Sequence, residues 1–225
     1  MTTSALLLGS IGVLVDTSDM QRRAFNTAFE EHDLNWHWDA AKYAELLRTP
    51  GGKARLAAYA AAQGHDVDVA AVYETKVELF DYALRRAQVG LRPGIGDLIA
   101  EAQRLGLLLG FVTSTNARQV AAVLEALRDE VTPSVFDFIG HGALVPRSKP
   151  SPHIYSEALR VLDVTAGDAL AIEDTPESAR SAISAGIPTW AYPSVAEGRV
   201  FGRVIGTGIP RLDLLRAPEL LAAAG

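Results

Sequence analysis

Two adjacent acids, Glu173 and Asp174, follow directly on the apolar run Ala169–Ile172. Carboxylates at a buried strand edge are costly unless they are paired or bound to a cation. Their oxygens suit Mg²⁺, which takes carboxylates, water and phosphate as ligands. A plainer reading is that Asp174 caps a helix opening near Pro176. Thr113 and Ser114 likewise close an apolar run, Leu107–Val112, and precede a helical pattern. Hydroxyls and backbone N–H groups ahead of a helix suit an anion such as phosphate, although Ser and Thr are also ordinary N-cap residues. Lys149 sits in Ser148-Lys149-Pro150-Ser151-Pro152. The prolines restrain that loop and can fix the direction of a lysine; the alternative is a solvated surface lysine. Acids, hydroxyls and a lysine together are the parts of a phosphate-handling site.

These residues need a frame that brings them together. Ala5–Leu8, Leu107–Val112, Ala169–Ile172 and Thr189–Tyr192 read as buried strands. Helical patterns over Ile95–Leu105, Ala117–Leu127, His153–Leu162 and Glu177–Ala185 alternate with them. Such alternation predicts a Rossmann-like, three-layer α/β core with a parallel sheet, its ligand site beyond the carboxyl ends of the strands. Residues 17–89 differ. They carry only helical patterns, Asp19–Glu31, Ala40–Arg48, Lys53–Gln63 and Val69–Gln88, and read as an all-helical cap inserted after the first strand. The core then comprises residues 1–16 and 90–225, with a closing helix near Pro218–Ala224. Trp36-His37-Trp38 reads as filling for a core or a domain seam.

Composition removes several classes of function. The net charge of −6, with scattered Lys and Arg, opposes nucleic-acid binding. No apolar run reaches the roughly 18 residues needed to span a bilayer, and Leu6-Leu7-Leu8 lacks a basic segment before it. With no cysteine, thiol catalysis and zinc–thiolate sites are absent. The five histidines show no metal-ligand spacing. A reducing cytoplasm is the expected setting.

The motifs together resemble the haloacid dehalogenase superfamily of hydrolases. The likeness is nearest to xylulose-bisphosphate phosphatases and next to β-phosphoglucomutases. It rests on 145–155, VPRSKPSPHIY, on Ala171-Ile172-Glu173-Asp174-Thr175 followed by Ala185-Gly186-Ile187-Pro188, and on Trp36–Asp39 with Gly51-Gly52-Lys53. The resemblance implies that Thr113 and Ser114 contact phosphoryl oxygens and that Lys149 balances charge. It implies that Glu173 and Asp174 help to hold Mg²⁺. Gly52, Lys53 and, more weakly, Arg55 then address the substrate from the cap.

The same resemblance places the nucleophilic aspartate at Gly9 and the acid/base aspartate at Ile11. Gly9 cannot form an acyl phosphate, and Ile11 cannot move a proton. Ser10, on an extended segment, is expected to face away from the crevice. With two carboxylates in place of four, Mg²⁺ binding is expected to weaken, and Glu173 or Asp174 to pair with Lys149 instead. The expected outcome is an impaired enzyme that still binds phosphate or a phosphorylated sugar. The alternatives are hydrolysis by a metal-bound water at Glu173-Asp174 and a structural or interaction role without ligand.

Overall fold

The computed structural model describes residues 4–49, 51–193 and 201–212. They form two compact units, one from the described residues of 1–16 and 90–225 and one from those of 17–89.

The larger unit is built on β1 (Ala5–Leu8), β2 (Leu108–Val112), β3 (Phe138–Gly140), β4 (Ala169–Glu173), β5 (Thr189–Ala191) and β6 (Gly206–Thr207). They form one parallel sheet in the order β3-β2-β1-β4-β5-β6. All four residues of β1 are buried, as a central strand covered on both faces requires. Its odd positions, Ala5 and Leu7, join Val112, Ala169 and Ala171 in a core with Ile154, Tyr155, Ala158 and Ala182. Those partners come from α8 (His153–Leu162) and α9 (Pro176–Ser184). The remaining core helices are α1 (Ile11–Leu14), α6 (Ile95–Arg104) and α7 (Ala117–Ala126). This is the Rossmann-like parallel α/β fold expected from the strand–helix alternation.

The differences are local. β3 and β6 were not anticipated, because three and two residues with a glycine in each carry no usable periodicity. The four-residue α1 was too short to see. Glu173 is the last residue of β4 and not the first beyond it. Asp174 does not cap α9; Thr175 does, its side chain accepting from the Ser178 amide. The anticipated helix near Pro218–Ala224 lies outside the described residues. Among the described residues, no helix is long and apolar enough to cross a membrane.

The smaller unit is wholly helical: α2 (Ser18–Glu31), α3 (Ala40–Leu46), α4 (Gly52–Gln63) and α5 (Val69–Arg86). Asp39 and Asp68 cap α3 and α5 through backbone amides, and Gly64 ends α4 in the left-handed region. Trp36 and Trp38 fill its core while His37 between them is exposed. The Trp38 ring lies 4.7 Å from Phe25 and 4.8 Å from Phe29. Its removal leaves a cavity that four short helices cannot close. Trp38→Ala is expected to destabilise the helical unit by about 3–5 kcal/mol, read as lost amide-exchange protection in residues 17–89.

Candidate functional site

Sheet order decides which loops meet. β1 lies between β2 and β4, with Leu8 in register with Phe111 and Ile172. Gly9, Thr113 and Asp174 therefore leave three adjacent strands at the same end. The Gly9 amide still donates to the Ile172 carbonyl at 2.9 Å.

Glu173 is the centre of this group and is fully buried. Its Oε1 accepts from Lys149 Nζ at 2.5 Å and from the Tyr155 hydroxyl at 2.6 Å. Its Oε2 accepts from the Ser10 hydroxyl at 3.1 Å and from the Ser10 and Asp174 amides at 3.3 Å. Lys149 Nζ also donates to the Val112 carbonyl at 2.7 Å, so the lysine expected at the site is buried there and not solvated. The carboxylate lies directly over Gly9: a Cβ built on that glycine would overlap it.

Thr113 is buried, its Oγ1 accepting from the Thr115 amide at 3.1 Å. The Ser114 hydroxyl accepts from the Lys149 amide at 3.1 Å. Both precede α7, but Asn116 supplies the cap, accepting from the Gln119 amide. Ile11 opens α1, and its carbonyl accepts from the Val15 amide at 2.9 Å. Ser10 does not turn away. The strand ends at Leu8, and the turn into α1 directs its hydroxyl to Glu173 and to the Ser178 hydroxyl at 3.1 Å. Tyr155 was missed as a site residue because it reads as an apolar position of α8; its place at the end of the 145–155 motif was the available signal.

Two buried acids side by side repel. Burial first, then the Glu173 charge, pushes the Asp174 carboxyl up to about 6, against the Lys149 charge and a hydrogen bond from Ser10. Burial and the same Glu173 charge hold the Tyr155 hydroxyl well above the ordinary range for a phenol, so it remains a donor.

The helical unit, taken by itself, holds the other predicted residues. Gly52 opens α4 where a Cβ would meet the Tyr73 ring at 2.8 Å. Lys53 is exposed. Arg55 is buried, with Nε donating to the Leu46 carbonyl at 3.0 Å and its guanidinium 5.4 Å from the Tyr43 ring centre. Lys76 was not singled out from the sequence. It lies on the buried stripe of α5, donates to Gln21 Oε1, and stands 5.0 and 4.9 Å from the Phe25 and Phe80 ring centres. Burial, then the Arg55 charge, draws its ammonium down to about 7.

The magnesium ion that the resemblance implies needs several oxygens able to turn to it. Glu173 commits both of its oxygens to protein donors and Gly9 supplies none, so the acids assigned to the ion reduce to Asp174, beside an Ile11 carbonyl that already accepts from the Val15 amide. Among the described residues, no three His, Asp or Glu side chains gather to hold a cation. The residues as arranged do not fit the ion.

Fold and site define a Rossmann-like α/β enzyme framework with a helical insertion. The chain belongs to the family described as haloacid dehalogenase-like hydrolase, whose model matches residues 12–192. It is 40% identical over 186 residues to Protein CbbY of Cereibacter sphaeroides, covering 81% of each chain. It is also similar to two crystal structures of CbbY from Rhodobacter sphaeroides. One, of a mutant in complex with xylulose-1,5-bisphosphate, has a TM-score of 0.85 at 36% identity, covering 92% of this chain and 93% of the other. The second, in complex with phosphate, has a TM-score of 0.86 at 35% identity, covering 98% and 100%. The chain is thus similar to sugar-phosphate phosphatases of this family.

Two outcomes follow from the buried charges. A carboxyl with its folded-state pKa raised from 3.8 to about 6 is harder to ionise in the folded protein. Its penalty is absent below about pH 4 and complete above about pH 6, so stability falls as pH rises through that window. The Asp174 contribution to that loss is expected to be about 3 kcal/mol, read as the difference between denaturant titrations of the natural protein and of Asp174→Asn. Lys149→Met leaves the Glu173 charge buried without its cation and is expected to cost about 3–5 kcal/mol, read from the same titrations.

Proposed function

We propose that this chain is a catalytically silent member of its family that binds a phosphorylated sugar without hydrolysing it. The observation that carries the reading is the Glu173 carboxylate lying over Gly9, in the space a side chain at that position would need. The resemblance assigns covalent attack to residue 9 and proton transfer to residue 11, and glycine and isoleucine perform neither. Loss of a nucleophile alone costs on the order of 10⁶ in turnover in a well-characterised hydrolase.

Binding asks less of the site than catalysis. A phosphate group needs donors and a cation, and Thr113, Ser114 and Lys149 remain as those groups. Two fewer carboxylates also means less repulsion of an anion. The ligand class follows from the relative in complex with xylulose-1,5-bisphosphate. In the helical unit, the family resemblance assigns Gly52, Lys53 and Arg55 to a sugar phosphate.

The test is phosphate release from xylulose-1,5-bisphosphate and a panel of sugar monophosphates, with and without Mg²⁺. The natural protein is expected to be silent and the double variant Gly9→Asp, Ile11→Asp to show Mg²⁺-dependent release. Metal-dependent turnover by the natural protein would overturn the reading. In metal-free buffer Gly9→Asp alone is expected to lower the melting temperature, because the new side chain must displace Glu173 from its partners. Added Mg²⁺ is expected to restore part of that loss.

A further inference from the structure

Five donors converge on the Glu173 carboxylate: the Lys149 ammonium, the Tyr155 phenol, the Ser10 hydroxyl, and the amides of Ser10 and Asp174. Four of them, the Lys149 cation, the Ser10 hydroxyl and the two backbone N–H groups, are also the kind of set that binds a phosphoryl oxygen. The main chain at Glu173 is pinned by β4 pairing and by its carbonyl, which accepts from the Tyr192 amide at 2.7 Å. With the main chain held there, movement of the carboxylate comes from the Glu173 side chain.

We propose that Glu173 is the resident anion of this pocket and that a phosphate group binds by displacing its carboxylate from Lys149. The inference rests on the anion-binding reading above and names the group with which the ligand competes. Glycine at position 9 is what makes the arrangement possible, because any side chain there would exclude the carboxylate. Tyr155 is then a positioning residue. Its buried hydroxyl holds Oε1 in place and resists the exchange. The exchange also sets specificity, since a dianionic phosphate competes for the lysine better than a singly charged carboxylate.

The experiment is calorimetric titration of inorganic phosphate into the natural protein, Glu173→Gln and Tyr155→Phe. Glu173→Gln is expected to bind about tenfold more tightly, because the competing charge is gone. Tyr155→Phe is expected to bind a few-fold more tightly. It keeps the ring that fills the core, so it reports even if Glu173→Gln fails to fold. Binding by the natural protein with no gain in either variant overturns the exchange and leaves the anion-binding reading standing. Binding by a variant but not by the natural protein supports the exchange and overturns that reading for the natural protein. No binding by any of the three overturns both.

Discussion

The buried pair between Lys149 and Glu173 is the constraint around which the strand-end loops are arranged. An ammonium and a carboxylate removed from water are each costly, and together they are tolerable only with near-ideal geometry and all remaining hydrogen-bonding capacity used. That requirement recruits Tyr155 from α8, Ser10 from the turn after β1, and the Val112 carbonyl from the end of β2. Segments far apart in the chain are thereby tied at one end of the sheet. Burial first, and then the Glu173 charge that Lys149 offsets in part, set the state of Asp174.

Gly9 is the permissive element. In a hydrolase of this family the residue there is expected to be an acid sharing the lysine with the strand-end pair. Without a side chain, the space goes to Glu173, and a carboxylate that the resemblance assigns to metal becomes one that the protein itself binds. On the proposed reading, the chemistry of the site differs through residues 9 and 11, while the donors for an anion stay. Capacity to bind, on that reading, separates from capacity to react: binding would draw on donors at Thr113, Ser114 and Lys149, whereas reaction needs a nucleophile and a proton carrier.

Much of the larger unit could be read from the chain. Buried parallel strands are runs of apolar residues, and their helices have a clear 3.6-residue period, so β1, β2, β4, α8 and α9 appear within a residue or so of their observed bounds. The aromatic pattern around Trp36 and Trp38 was legible for the same reason. β3 and β6 were not, since pairs and triplets of residues take their conformation from the neighbouring strand. At the site, residue types and strand ends marked Thr113, Ser114, Lys149, Glu173 and Asp174. Tyr155 and Lys76 carry no such mark, because a tyrosine or lysine on an apolar helix stripe looks like core or like a solvated face until its partners are known; Ser10 was expected to face away, because the turn that follows Leu8 has no sequence signal.

The chain by itself determined which chemical groups exist near the strand ends and which are missing: no carboxylate at position 9 or 11, two acids after β4's apolar run, one lysine between prolines. Covalent composition is sufficient for that, because an absent functional group cannot be supplied by folding. Only the tertiary structure decided which way Glu173 points and what holds it. That choice depends on groups more than a hundred residues apart converging in a space closed to water, where a carboxylate must satisfy every acceptor site it has.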